Sequence, residues 1–164
     1  TVMHLARIYL DKGKVVEKEE RDKWLNMALQ LFHEYLEGTG DLGSKDYREA
    51  SGWREERAAA WDHVGEIAIL QQHPEVAIEV LKNAVDEGYE FPLYYVNLAW
   101  AYTITKDYKR AKNLLNYATT LPEPHTTIVM YPRELKTRIL QVSIEINMHE
   151  RKLKYALEDA KKLQ

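Results

Sequence analysis

The sequence predicts an all-α fold built from antiparallel helix hairpins, and two observations support this prediction. First, the 164-residue chain contains an internal repeat, because residues 58–91 align with residues 92–125 at a spacing of 34 residues. Second, residues that begin and end helices occur at corresponding places in both copies. Together the two observations predict one helix hairpin per repeat.

Six pairs of similar residues define the repeat. The pairs are Trp61 and Tyr95, Val64 and Leu98, Gly65 and Ala99, Ala77 and Ala111, Leu81 and Leu115, and Ala84 and Ala118. Small residues allow two helices to approach closely, and the large apolar residues fill the space around the crossing.

Proline, aspartate and glycine mark the expected helix ends. Pro74 suits the first turn of a helix, and Asp107 is a good N-cap at the corresponding turn of the next repeat. Gly88 is expected to end the second helix of the first repeat, and Pro122 with Pro124 that of the second.

This pattern resembles the tetratricopeptide repeat, in which a bulky aromatic, Leu, a small residue and Tyr are followed by Ala, a large apolar residue and Ala. Tyr102 matches the tyrosine of the motif, whereas Ala68 departs from it. The resemblance is clearest over 58–125 and degenerate on both flanks. It implies a right-handed superhelical array, an α-solenoid of about three to four hairpins.

We expect a single domain over 1–164, with the alternative that the chain is a fragment of a longer protein. Its expected segments are a degenerate first hairpin (1–37), a loop (38–46), a repeat with an extended first helix (47–91), a second repeat (92–125), a loop (126–133) and a last hairpin or cap (134–164).

The flanks follow the same apolar spacing less regularly. In the first hairpin the matching residues are Leu5, Ala6, Tyr9, Ala28 and Phe32, and the extra residues from Glu17 to Lys23 lengthen the helices or their turn. In the last segment the residues that match this spacing are Leu140, Ile144, Leu153, Leu157 and Ala160, in a helix expected to begin at Pro132. Asp46 and Glu49 form a capping box for a helix through Trp53 to about Gln71, which Gly52 can kink.

Composition excludes several classes of function. The 23 Lys and Arg and 26 Asp and Glu residues give a net charge of −3 with the two signs interleaved, which argues against nucleic-acid binding. No apolar run is long enough to span a membrane, so no membrane insertion is expected. The absence of cysteine excludes disulfides and thiolate sites and favours a cytoplasmic setting.

We predict no enzymatic activity, metal or cofactor. No two of the six histidines have the i, i+4 spacing that places two metal ligands on one helix face. Asp62 and Glu66 are expected to be solvated side chains facing a groove, and His63 a partly buried or exposed helix residue.

The resemblance implies a concave surface that binds peptides, lined by the first helix of each repeat. The residues predicted to contact a partner there are Asp62, Glu66, Leu93, Val96, Asn97, Trp100, Arg138 and Val142. Alternatively, Trp100 packs against a terminal helix or an inserted loop. This surface predicts a protein-binding scaffold or adaptor whose partner is another protein or a peptide.

The same surface does not fit the branch of the family that clamps acidic chaperone tails. Asp62, Glu66 and Val142 replace its Lys, Asn and Arg residues, and two acids repel a carboxylate. We instead expect a partner with apolar anchors and a flanking basic residue. Two alternatives remain: a regulatory or sensor domain of a larger signalling or transcription-regulating protein, and self-association as a homo-oligomer through the last helix.

Overall fold

The computed structural model describes residues 1–40, 53–88, 91–122 and 132–162, and within these ranges all regular secondary structure is α-helical. The helices are α1 (Val2–Val15), α2 (Lys18–Gly40), α3 (Trp53–Leu70), α4 (Pro74–Glu87), α5 (Pro92–Ile104), α6 (Tyr108–Ala118) and α7 (Pro132–Lys162). The described residues form no strand. The prediction of an all-α fold is therefore confirmed.

The chain packs as two compact units, the N-terminal unit Thr1–Tyr89 and the C-terminal unit Glu90–Gln164. In the N-terminal unit α1 packs against α2, α2 against α3, and α3 against α4. In the C-terminal unit α5 packs against both α6 and α7, and α6 also contacts α7. The assignment of 1–164 to a single domain stays a prediction.

Helices α3 and α4 approach closely where Gly65 faces Leu81. A Cβ atom added at Gly65 would lie 2.5 Å from Leu81 Cγ, far inside van der Waals contact. Leu81 is itself only 1% exposed, so its side chain has little room to move away. The role predicted for Gly65 is confirmed, because only a hydrogen atom fits at this crossing.

The turns between α3 and α4 and between α5 and α6 are the same turn, 34 residues apart. Gln72 and Lys106, at equivalent positions, are the two non-glycine residues of the described chain with positive φ, 66° and 64°. Each turn closes with a backbone hydrogen bond from the following residue: His73 N to Ala68 O at 2.8 Å, and Asp107 N to Tyr102 O at 2.9 Å. A residue in the left-handed backbone conformation, followed by a residue whose N–H makes such a bond, forms the Schellman motif that ends many helices.

Two of the predicted helix starts are confirmed, and one predicted end is wrong. Pro74 is the first residue of α4, and Asp107 Oδ1 accepts a hydrogen bond from Arg110 N at 3.1 Å, as an N-cap does. Gly88 caps the end of α4 as expected. Helix α6, however, ends at Ala118, before Pro122.

The early end of α6 is associated with two threonines that follow it. Thr119 Oγ1 donates to Asn116 O and Thr120 Oγ1 donates to Tyr117 O, each at 2.7 Å. These side-chain bonds satisfy carbonyl groups that a continuing helix would otherwise bond. Pro124 lies outside the described residues.

The core of the N-terminal unit contains residues from three helices. Ala6 of α1, Ala28 and Phe32 of α2, and Ala60 and Ile67 of α3 are completely buried in one cluster. Leu5 of α1, which we also matched to the repeat, differs from these residues, because its side chain is 42% exposed.

The first three residues of the predicted loop at 38–46 are helical. Helix α2 continues to Gly40, so residues 38–40 are helical, and the Thr39 hydroxyl donates to Tyr35 O at 2.7 Å. The residues from Glu17 to Lys23 lengthen the hairpin as predicted, because α2 starts at Lys18. The remainder of the loop, the capping box at Asp46 and the kink at Gly52 lie outside the described residues.

The predicted last hairpin or cap is one helix, α7. It begins at Pro132 as predicted and runs to Lys162 without an interrupting glycine or proline. Its buried face contains Val142 and Ile146, whereas Leu140 and Ile144, which we matched to the apolar spacing of the repeat, are exposed. The helix carries two apolar stripes, and packing against α5 and α6 selects the one with Val142. Leu153 is also exposed, and the side chains of Leu157 and Ala160 lie outside the description.

Candidate interaction surface

Helix α5 leaves an apolar stripe accessible in the C-terminal unit. Ten of its residues are buried, and those that keep accessible surface are Leu93, Trp100 and Ile104. Spacings of seven and four residues place all three on one face of the helix. We call these three residues the α5 stripe. It has no charged member, because α5 contains no charged residue.

Arg138 of α7 covers part of Trp100. The guanidinium Cζ lies 3.5 Å from the centroid of the indole ring, and Arg138 Nη1 donates to Gln141 Oε1 at 3.1 Å. This is a cation–π contact between a planar cation and the most favourable aromatic partner. Trp100 is therefore half-buried: the alternative of packing against a terminal helix holds for one part of the ring, and the rest is accessible.

Three predicted contact residues of this unit lie beneath the surface. Val96 and Val142 are completely buried, and Asn97 is 7% exposed. Val96 and Val142 therefore offer no side-chain surface to a partner in this conformation and instead pack in the interior. Of the predicted residues in the C-terminal unit, Leu93, Trp100 and Arg138 remain available for contact.

In the N-terminal unit, the predicted contact residue Glu66 is engaged by α1. Lys14 Nζ lies 3.0 Å from Glu66 Oε1, and His63 Nδ1 lies 3.9 Å from Glu66 Oε2. Burial by itself raises the pKa of Glu66, but His63 and the Lys14 ammonium together lower that pKa from 4.5 to about 2. The carboxylate is thus ionised and paired.

Asp62 and His63 are also more enclosed than a groove surface requires. Asp62 is 7% exposed, and the His63 ring lies against Phe32 with 5.2 Å between centroids. The prediction that Asp62 and Glu66 are solvated side chains is wrong, because the packing of the N-terminal unit covers both of them. His63 is partly buried as predicted, and its Nδ1 has no hydrogen-bond partner within the described part of the chain. Among the described residues, no His, Asp and Glu cluster is placed to hold a metal ion.

A buried arginine that the sequence reasoning did not identify joins three helices of the N-terminal unit. Arg57 of α3 donates to both carboxylate oxygens of Glu87 on α4, at 2.9 and 3.1 Å. Its Nη1 also donates to Leu36 O and Thr39 Oγ1 at the end of α2, at 2.8 and 2.7 Å. Trp61 Nε1 adds a bond to Glu87 at 3.1 Å. The polar groups of this network form hydrogen bonds with one another, so we assign the network a role in holding the three helices together.

The two units also differ in charge. Residues 1–89 contain 11 Lys and Arg against 18 Asp and Glu, whereas residues 90–164 contain 12 against 8. The near-neutral total therefore combines an acidic unit with a basic one. Ile104 extends the surface predicted from the sequence, and its position four residues after Trp100 could have identified it.

None of the helices in the described ranges is both long and apolar enough to cross a membrane. Comparison with protein-family models finds no match to this chain, and comparison with curated proteins finds no similar sequence.

Proposed function

We propose that this chain is a protein–protein interaction module that binds a peptide segment of another protein along α5. The observation that carries the proposal is the α5 stripe, in which every accessible residue of the helix is apolar and Trp100 lies in the middle. Tryptophan and arginine are the residues that most often contribute large binding free energies at protein interfaces. Trp100 and Arg138 occur here in contact with one another.

We further propose that the hairpins α3–α4 and α5–α6 are tetratricopeptide-like units. Their equivalent turns support this proposal, since the positive φ angles and closing hydrogen bonds recur at the 34-residue spacing of the sequence repeat. The superhelical array and its concave groove are part of the same proposal. In this view the α5 stripe is the binding face of the hairpin α5–α6.

The partner expected from the α5 stripe has apolar anchors. A basic flank, which we inferred from Asp62 and Glu66, has less support, because Glu66 already pairs with Lys14. If a partner covered about 400 Å² of apolar surface, the gross gain would be roughly 10 kcal/mol. Association costs of about 4 to 15 kcal/mol offset most of that gain. We therefore propose that the partner binds transiently, with a dissociation constant in the micromolar range. The proposal includes no catalytic step or cofactor.

The test compares two tryptophans in similar surroundings. Trp24 of α2 is half-buried like Trp100, and Lys12 Nζ lies 4.4 Å from its ring centroid. Wild type, Trp100→Ala and Trp24→Ala would serve as baits for proteins of the source cell, after circular dichroism shows equal helix content. The retained protein would then be divided into overlapping peptides, whose affinities are measured by calorimetry.

We expect one peptide to bind wild type and Trp24→Ala equally and Trp100→Ala at least about tenfold more weakly, because an interface tryptophan commonly contributes 2 kcal/mol or more. Equal binding to all three proteins, or loss of binding with Trp24→Ala alone, would contradict the assignment of the α5 stripe.

A further inference from the structure

Helix α7 presents a second apolar surface, which the proposed peptide site does not use. Leu140, Ile144 and Met148 are 61%, 47% and 50% exposed and follow one another at four-residue intervals. Side chains at this interval form a continuous ridge along a helix. We call these three residues the α7 ridge. Ile144 lies about 120° around the helix from Arg138, so the ridge is separate from the side chain that covers Trp100.

The opposite side of α7 is anchored within the C-terminal unit. Val142 and Ile146 are buried, and the His149 ring stacks on Tyr108 of α6 with 4.0 Å between centroids. Glu150 forms an ion pair with Lys112 of α6. Because these contacts fix the rotation of the helix, the α7 ridge is presented to solvent by a packed element.

Cations border the α7 ridge at both ends. Lys136 lies one turn before Leu140, and Arg151 and Lys152 lie one turn after Met148, all three exposed. Glu145, three residues before Met148, is exposed and borders the middle of the ridge on one side, whereas Glu150 pairs with Lys112. The surface is therefore apolar in its centre, with one acid beside it, and basic at its two ends.

We propose that the α7 ridge docks an amphipathic helix of a partner protein that carries acidic residues beside its apolar face. A ridge of residues four apart fits the groove between equivalent ridges of another helix, the commonest mode of helix packing. Acidic residues flanking that groove would meet Lys136 at one end and Arg151 with Lys152 at the other.

Two other occupants fit the surface less well. A second copy of the chain would bring its own Lys136, Arg151 and Lys152 against the same residues, which repel. A lipid surface requires a broad apolar face, whereas this face has one row of three apolar side chains. The charge and the shape of the ridge both favour an acidic helix.

The experiment uses two synthetic helical peptides that share leucines at four-residue intervals and differ in having Glu or Lys at the flanking positions. Fluorescence anisotropy of the labelled peptides measures their affinity for the full chain. We expect the Glu peptide to bind at least about tenfold more tightly than the Lys peptide, with a preference that falls as salt is raised.

Variants identify the surface. Ile144→Gln combined with Met148→Gln should lower affinity for the Glu peptide at least about tenfold, because two apolar contacts are lost. Val76→Gln serves as the control, since Val76 is a similarly exposed residue, at 55%, on α4 of the other unit. Trp100→Ala should bind the Glu peptide normally, which separates this proposal from the peptide site on α5. Circular dichroism would confirm that each variant retains its helix content.

The proposal is overturned if neither peptide binds, if both bind equally, or if the double variant binds like wild type. It is also overturned if the ridge retains phosphatidylserine vesicles in place of the Glu peptide. Concentration-dependent self-association in sedimentation that Ile144→Gln abolishes would likewise assign the ridge to a second copy and overturn the proposal.

Discussion

The hairpins α3–α4 and α5–α6 have the same turn but different chemistry at equivalent positions. Glu66 in the first corresponds to Trp100 in the second, 34 residues later. Each is contacted by a cation from another helix of its own unit, Glu66 by Lys14 of α1 and Trp100 by Arg138 of α7. In the first hairpin the contact neutralises a charge, whereas in the second it leaves part of an aromatic ring accessible. Backbone geometry alone therefore does not make a repeat position a binding position.

A second pair of equivalent positions shows the same contrast inside the fold. Arg57 and Glu87, which form a partly buried ion pair in the first hairpin, correspond to Phe91 and Leu121 in the second. One hairpin thus has a polar network where the other has apolar side chains. Buried ion pairs can often be replaced by apolar residues as a pair, although removing one partner alone is costly.

The largest effect is expected from breaking this network in the first hairpin. Arg57→Phe should destabilise the N-terminal unit by about 3 to 5 kcal/mol, because it removes the hydrogen bonds of a buried guanidinium to Glu87, Leu36 and Thr39 and leaves the partly buried Glu87 without its main partner. The double variant Arg57→Phe with Glu87→Leu, which copies the second hairpin, should recover a large part of this loss. Urea unfolding of the three proteins measures both changes.

Phe91→Ala, at the position equivalent to Arg57, serves as a comparison for Arg57→Phe. It removes a buried apolar side chain and leaves no charged group without its partner. If the double variant were as unstable as Arg57→Phe alone, the unpaired Glu87 would not be the cause of the loss. The bonds from Arg57 to Leu36 and Thr39 would then account for it.

A smaller effect, which depends on pH, is expected at Glu66. Its pKa is about 2 in the folded chain and 4.5 without these neighbours, so ionised Glu66 stabilises the folded state by about 3 kcal/mol. That contribution is present above pH 4.5 and is lost as pH falls from about 4.5 through about 2. Glu66→Gln should therefore be less stable than wild type at pH 7 and equally stable near pH 2.

Thermal unfolding of both proteins across this pH range measures the difference. Trp100→Gln at the equivalent position provides the control, because the indole of Trp100 does not titrate and its effect should not change in this way. A stability difference for Glu66→Gln that is constant from pH 7 to pH 2 would show that ionisation of Glu66 beside His63 and Lys14 contributes no stability.

The smallest effect tests the equivalence of the two turns. Gln72 and Lys106 adopt positive φ, which disfavours side chains other than glycine, and both are exposed. Gln72→Gly and Lys106→Gly should each stabilise their own hairpin by up to about 1 kcal/mol. Hydrogen exchange of the hairpin amides resolves the two effects, and stabilisation at only one position would indicate that the turns differ energetically.

Local chemistry accounts for the parts of the fold that the sequence predicted well. Pro74 at a first turn and Asp107 at an N-cap act through their own backbone and nearest neighbours, so their roles are visible in the sequence. Gly65 was also identified correctly, because the repeat aligns it with the small residue Ala99. We placed the end of α6 too late because we relied on Pro122. The hydroxyls of Thr119 and Thr120 bond carbonyl groups of the last turn before the chain reaches that proline.

The candidate surface was harder to predict because it depends on contacts between distant residues. Lys14 lies far from Glu66 in sequence, and no local pattern indicates that it covers that carboxylate. The register of α7 was ambiguous for a similar reason. Leu140 and Val142 both belong to apolar stripes with helical spacing, and the packing of α7 on α5 and α6 decides which stripe is buried.

The uncharged composition of α5 has a consequence for the solubility of the C-terminal unit. This helix has four aromatic residues and no charge, and it depends on α6 and α7 to cover it. Its sequence is rich in residues that also favour extended strands, so an uncovered α5 would be prone to aggregation. By packing on α5, helix α7 keeps an aggregation-prone segment out of water in the folded unit.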